Sequence, residues 1–171
     1  RFRVCAWVSN CGSFGRLDGR GRKANQTMPV HVRWYIPGRI VLHEFSGDVR
    51  LEDAAQSSLE GPALAEQGTP PVHMLVSLVG ITRYPRSIHQ LEAAIHIYPK
   101  ADQLGRVVIL VRHNPLLRFI ATILTQIHYS RLRFVIVEDE TEALRSFLAH
   151  DASLAEFITP DGRLISSQTG A

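Results

Sequence analysis

Residues 106–137 read RVVILVRHNPLLRFIATILTQIHYSRLRFVIV, and this stretch decides the fold class. Arg106 to Val111 is a short apolar, β-branched run, as expected of a strand covered on both faces. Asn114 and Pro115 then open a helix: asparagine caps free N–H groups, and proline's fixed φ suits the first helical position. Leu116, Leu117, Phe119, Ile120, Ile123, Leu124 and Ile127 cover well over half of that helix, more than one core-facing stripe needs. The helix is therefore either buried on two sides within the domain, the expected account, or meets a partner with part of its surface. A second apolar run, Leu132 to Val137, closes the unit. Strand, helix and strand in this order require a parallel pair joined by a crossover, right-handed by the usual rule.

The same alternation extends in both directions. Downstream, Asp139 caps a fourth helix and Glu142 completes a capping box, with Ala143, Leu144, Phe147 and Leu148 facing inward. Beyond about Ile158 the composition thins into Gly, Ser and Thr, and the chain is expected to fray. Upstream, Val72 to Leu78 is a nearly all-apolar central strand, followed by a loop over residues 79–87. Ser87 and Gln90 form a capping box for a second helix, whose stripe is Ile88, Leu91, Ile95 and Tyr98 before Pro99 stops it. A first helix covers roughly residues 50–60 and ends at Gly61-Pro62 or trails on to Gly68. At the start, Val32, Trp34 and Ile36 alternate with Arg33 and Tyr35 as in a half-buried strand. Pro37-Gly38 suits a tight type II turn, and a turn that short joins only antiparallel strands, so Arg39 to Phe45 is the second arm of a hairpin. The reading is an α/β fold: a mixed, mostly parallel five-stranded sheet with a β-hairpin start, then α/β alternation, and four helices.

Residues 1–27 stand apart. They hold six basic side chains against Asp18 alone, whereas the rest of the chain holds 13 basic against 15 acidic, so the excess that sets the pI near 9.2 sits in the tail. Nucleic-acid binding needs a basic face on the folded domain, and the folded part is slightly acidic. Four glycines and no periodic apolar pattern leave residues 1–27 too little to bury to offset chain entropy. The expected organisation is a basic Gly/Arg-rich tail over 1–27, disordered or upstream of a native start at Met28. One domain then spans 28–158, and a flexible tail covers 159–171. No apolar run spans a bilayer, and no signal peptide is legible. The default expectation is a cytoplasmic protein.

The search for chemistry is mostly negative. Cys5 and Cys11, without His or Cys partners nearby, do not make a zinc site. The eight histidines include no H-E-x-x-H and no i, i+4 pair. His89 and His96 lie two turns apart on one helix, where a solvated surface pair is the simpler account. There is no G-x-S-x-G elbow, no Walker loop and no G-x-G-x-x-G after a strand. No catalytic residue, metal site or cofactor is assigned. The most suggestive segment is the loop after the third strand, since open α/β sheets place their sites at strand carboxyl ends. It carries Thr82, Arg83, Tyr84 and Arg86 and leads into Ser87, a candidate phosphoacceptor or a plain helix cap. Helix starts favour anions. Asn114 and Arg118, at the start of the next helix, join these as candidate partner- or anion-binding residues.

Element order and loop together resemble the STAS domain of bacterial anti-sigma-factor antagonists and the looser, stand-alone STAS-like proteins. The matching stretches are GRIVLHEFSG at 38–47, MLVSLVGI at 74–81, and Ser87 opening the next helix; together the likeness covers about residues 30–150. The resemblance implies a non-enzymatic regulatory and protein-interaction domain. Ser87 falls at the family's phosphoacceptor position, and an anti-sigma factor or kinase-like regulator is the implied partner. Ser77 stands where the family's strand-end Asp is usual, and Pro85-Arg86-Ser87-Ile88 replaces its Asp-Ser-Ser-Gly-like motif. The alternative is a small-molecule or anion-binding α/β protein, enzymatic or not, with a pocket at the strand carboxyl ends around Tyr84, His113 and Asn114.

Overall fold

The computed structural model describes residues 29–85, 87–94, 104–128 and 133–165. β1 (Val30–Ile36) and β2 (Ile40–Asp48) form the expected hairpin. Gly38 takes a φ of 70°, which its missing Cβ permits, and the Arg39 N–H donates to the Ile36 carbonyl at 3.0 Å. The remaining elements follow in order: α1 (Leu51–Ala65), β3 (Val72–Arg83), α2 (Ile88–Ala94), β4 (Leu104–Leu110), α3 (Pro115–His128), β5 (Arg133–Val137) and α4 (Glu140–His150). A 3₁₀ turn, Ala152–Glu156, comes after α4.

The sheet order is β1-β2-β3-β4-β5, with β1 antiparallel to β2 and every later pair parallel. This is the mixed five-stranded sheet expected from the sequence. Neighbouring parallel strands joined by crossovers of one hand carry their connecting helices on one face. Accordingly α1, α2 and α3 lie side by side. Beneath them, Val41, Val72 and Ala65 form one cluster, and Ile109, Val111, Leu117 and Ala121 another. Among the described residues α4 leads to no further strand of the sheet, and it covers the opposite face. Its Ala143, Leu144 and Phe147 pack with Leu42, Leu75, Val108, Leu110 and Val137, together with Leu154 and Ile158 from beyond the helix. Away from the register shifts, residues alternate between the two cores along the strands, as the period of two requires.

α1 runs through Pro62 to Ala65, between the two ends expected for it. Two boundaries differ from expectation. β3 continues five residues past the expected end at Leu78, alongside the last residues of β2. The chain also keeps its structure past Ile158: Ile158 bridges to Leu164, and the Ile165 N–H donates to the Phe157 carbonyl at 2.8 Å. Thr159-Pro-Asp-Gly162 is the turn of that bridge, with Gly162 at φ 80°, so its polar composition marks a reversal rather than an end. Residues 1–28 and 166–171 lie outside the described residues, and so do the second helix's expected Ile95, Tyr98 and Pro99.

Candidate interaction surface at the carboxyl edge of the sheet

The carboxyl ends of β3, β4 and β5 do not finish level. The last β3–β4 pair is Ser77 with Leu110, whereas β3 goes on pairing with β2 through Gly80–Ser46, Ile81–Gly47 and Arg83–Asp48. Residues 78–83 therefore project past β4, by about 20 Å at the usual strand rise. Register shifts flank Ser46 and Gly47, and Gly47 takes a φ of 68°. These bulges break the alternation that would have marked the extension as strand. Thr82 and Arg83, expected in a loop, are thus exposed strand residues, and the Arg83 carbonyl accepts from the Val49 N–H at 3.0 Å. Tyr84 is half-buried and packs, with Ile81 and Leu78, on the Ile109–Val111–Leu117–Ala121 cluster. Arg86 lies outside the described residues.

Ser87 is exposed, and its Oγ accepts from the Gln90 N–H at 3.4 Å, a long bond that makes one half of the expected capping box. Asn114 is a firmer cap: its Oδ1 accepts from the Leu117 N–H at 2.9 Å. The preceding His113 sits at φ 51° and supplies the sharp turn out of β4. Arg118 forms an ion pair with Glu138, at the start of the turn into α4. The Asn114 oxygen and the Arg118 guanidinium thus already have partners within the chain. Beside exposed Thr82, Arg83 and Ser87, the edge also leaves apolar side chains open. On α3, Leu117, Ile120 and Ala121 are buried, but Leu116 is 46% and Phe119 59% exposed. Two of the residues that give this helix its apolar width thus face outward, where burial within the domain was expected.

Two buried polar clusters carry no sequence motif. In the first, His43 on β2 meets Ser57 on α1, Nδ1 to Oγ 2.6 Å, and its Nε2 is buried without a partner. Burial pushes this imidazole's pKa down to about 4. Ser57 is itself buried, so the pair has the spacing of nucleophile and base without access for a substrate. In the second, at the amino ends of the parallel strands, His73 is fully buried. Its Nδ1 accepts from the Arg106 N–H at 2.9 Å, which leaves Nε2–H to donate to Asp151 Oδ2 at 3.1 Å. Arg39 donates to the same carboxylate oxygen at 2.7 Å, and the Ser153 hydroxyl to Oδ1, also at 2.7 Å. Serine, histidine and aspartate are all present, but the serine bonds the aspartate and both imidazole nitrogens are occupied, which is not triad connectivity. Gly105 lies against the ring; a Cβ there would meet it at 2.4 Å. The available signal was a histidine inside an apolar strand, twice: IVLHEF at 40–45 and VHMLVSL at 72–78.

Among the described residues, no group of three or more His, Cys, Asp or Glu is placed to hold a metal ion, and no helix is long and apolar enough to cross a membrane. No family model and no curated protein matches the chain. Among solved structures, it is similar to an uncharacterized protein from the DUF3478 family with a SpoIIAA-like fold, from Shewanella loihica PV-4. The two are 18% identical, the match covers 68% of this chain and 90% of that one, and the TM-score is 0.45.

Proposed function

We propose that this chain is a non-enzymatic regulatory domain that binds another protein at the carboxyl edge of its sheet. The observation that carries the reading is the pair Leu116 and Phe119, exposed on the first turns of α3 beside a core that is already filled. Single exposed apolar residues are ordinary, but large ones adjacent on one helix turn favour a contact surface. α2 begins at the same edge, and Thr82, Arg83 and Ser87 stand exposed there, so an apolar centre has polar neighbours as a partner interface does. The resemblance read from the sequence supplies the class of partner, an anti-sigma factor or kinase-like regulator. A phosphate on Ser87 would add charge near Arg83 and alter that contact. The alternative of a small-molecule or anion pocket is less favoured, because Asn114 is committed to its cap and Arg118 to Glu138.

A photo-crosslinking side chain at position 119, used in the producing cell, should capture one dominant protein. With that protein purified, Phe119→Asp and Leu116→Asp should each weaken binding by about tenfold or more, as expected for interface anchors. Leu59→Asp, at an exposed position on α1, should leave it unchanged. Equal affinities for all three variants would count against the proposal.

A further inference from the structure

We infer that β5 is a self-association edge, through which two copies of this chain pair antiparallel and join their sheets into one. Among the described residues β5 pairs with β4 and with no other strand. An edge strand presents a row of unpaired N–H and C=O groups, and proteins that stay apart blunt such edges with charge, proline or bulges. The opposite edge is blunted in this way. β1 lies between Pro29 and Pro37, projects exposed His31 and Arg33, and has a register shift between Trp34 and Ile36. Beyond Arg133 at its start and its length of five residues, β5 has none of these devices. Its Phe134-Val-Ile-Val137 contains no proline, glycine or charge, and it runs against β4 without a register shift. Phe134, Val135 and Ile136 are only partly buried, although they pack on the cores of the two faces.

The charges at the two ends identify the occupant. Arg133 opens the strand, and Glu138, Asp139 and Glu140 follow it. Antiparallel pairing about Val135 sets Phe134 opposite Ile136 and brings the basic end of each copy to the acidic end of the other. Parallel pairing would set like charge beside like. A contact that is complementary to itself under a two-fold axis is the commonest way that identical chains associate. Glu138 is exposed and already pairs with Arg118, but a carboxylate has acceptor sites for a second guanidinium. Five-residue strands give an interface at the small end of the range, so the dimer is a weak one.

Sedimentation equilibrium on the wild-type chain between about 1 µM and about 1 mM should show a reversible monomer–dimer equilibrium. Hydrogen exchange over the same range should show β5 amides gaining protection with concentration while those of β1 do not. Arg133→Glu and Glu138→Arg should each weaken dimerisation by about tenfold or more, and the double variant should regain most of it. A monomer throughout, a dimer that protects another segment, or β5 amides equally protected at every concentration would overturn the inference. Exchange on the unaltered chain decides the matter even if a charge variant fails to fold.

Discussion

His43 is kept neutral by its surroundings, and the consequence is a pH dependence with a definite sign. Its folded pKa is about 4, against roughly 6.5 in an unfolded chain. Between these values the unfolded state holds a proton that the folded state does not, so stability falls as pH falls through that window and levels off below it. A shift of this size corresponds to at most about 3 kcal/mol. Urea unfolding at neutral pH and near pH 4 should show the loss, and His43→Leu should flatten part of the slope. Burial pushes His73 down as well, against the opposing pull of Asp151, so it contributes in the same direction and the single variant does not remove the whole effect. Gly105 offers a test of a different kind. Its missing Cβ is the space that the His73 ring occupies, so Gly105→Ala should cost about 1–3 kcal/mol as overpacking, measured by the same unfolding curves.

At the scale of elements, α4 and the 3₁₀ turn after it are fastened to the sheet through Asp151. Its side chain caps the 3₁₀ turn at the Ser153 N–H, 3.0 Å, while also receiving Arg39 and His73. Burial alone would raise its pKa, but Ser153, His73 and Arg39 together hold the carboxyl well below the usual carboxylate range. Asp151→Ala would leave a largely buried guanidinium without its carboxylate, held only by the Ser153 hydroxyl, and a buried imidazole N–H unpaired. The expected loss is about 3 kcal/mol or more, read by denaturant unfolding at neutral pH. Asn114→Ala removes only a helix cap and should cost about 1 kcal/mol. If the two losses were equal, Asp151 would be a cap and not a fastening.

For the whole molecule, α3 separates what holds the domain together from what faces outward. Leu117→Ala should destabilise by about 2–4 kcal/mol, as truncations in a packed core do. Phe119→Ala should change stability by no more than about 0.5 kcal/mol while weakening the proposed partner contact. A Phe119 variant as destabilised as the Leu117 one would show that this side of α3 is covered by the chain itself. The two proposed contacts use different parts of the sheet, its carboxyl edge for the regulatory partner and its β5 side for a second copy. The α3 variants should accordingly leave dimerisation unchanged.

The sequence by itself determined the element order, the hairpin turn at Pro37-Gly38, the caps at Asn114 and Asp139, and hence the mixed parallel sheet. Each follows from local chemistry: a period of two or 3.6, a proline's fixed φ, a side chain reaching its own helix start. Tertiary structure decided the rest. The length of β3 depended on β2 being there to pair with it past Leu78, because bulges and glycines had erased the alternation. Arg118 read as an open cation until folding set Glu138 beside it. The turn at Thr159-Pro-Asp-Gly162 read as a tail until Ile158 found its place in the core. The buried histidines were marked only by their place inside apolar strands, and their partners were hidden for the same reason: what makes His43 and His73 structural is Ser57 and Asp151, which are distant in the chain and adjacent only once the sheet has formed.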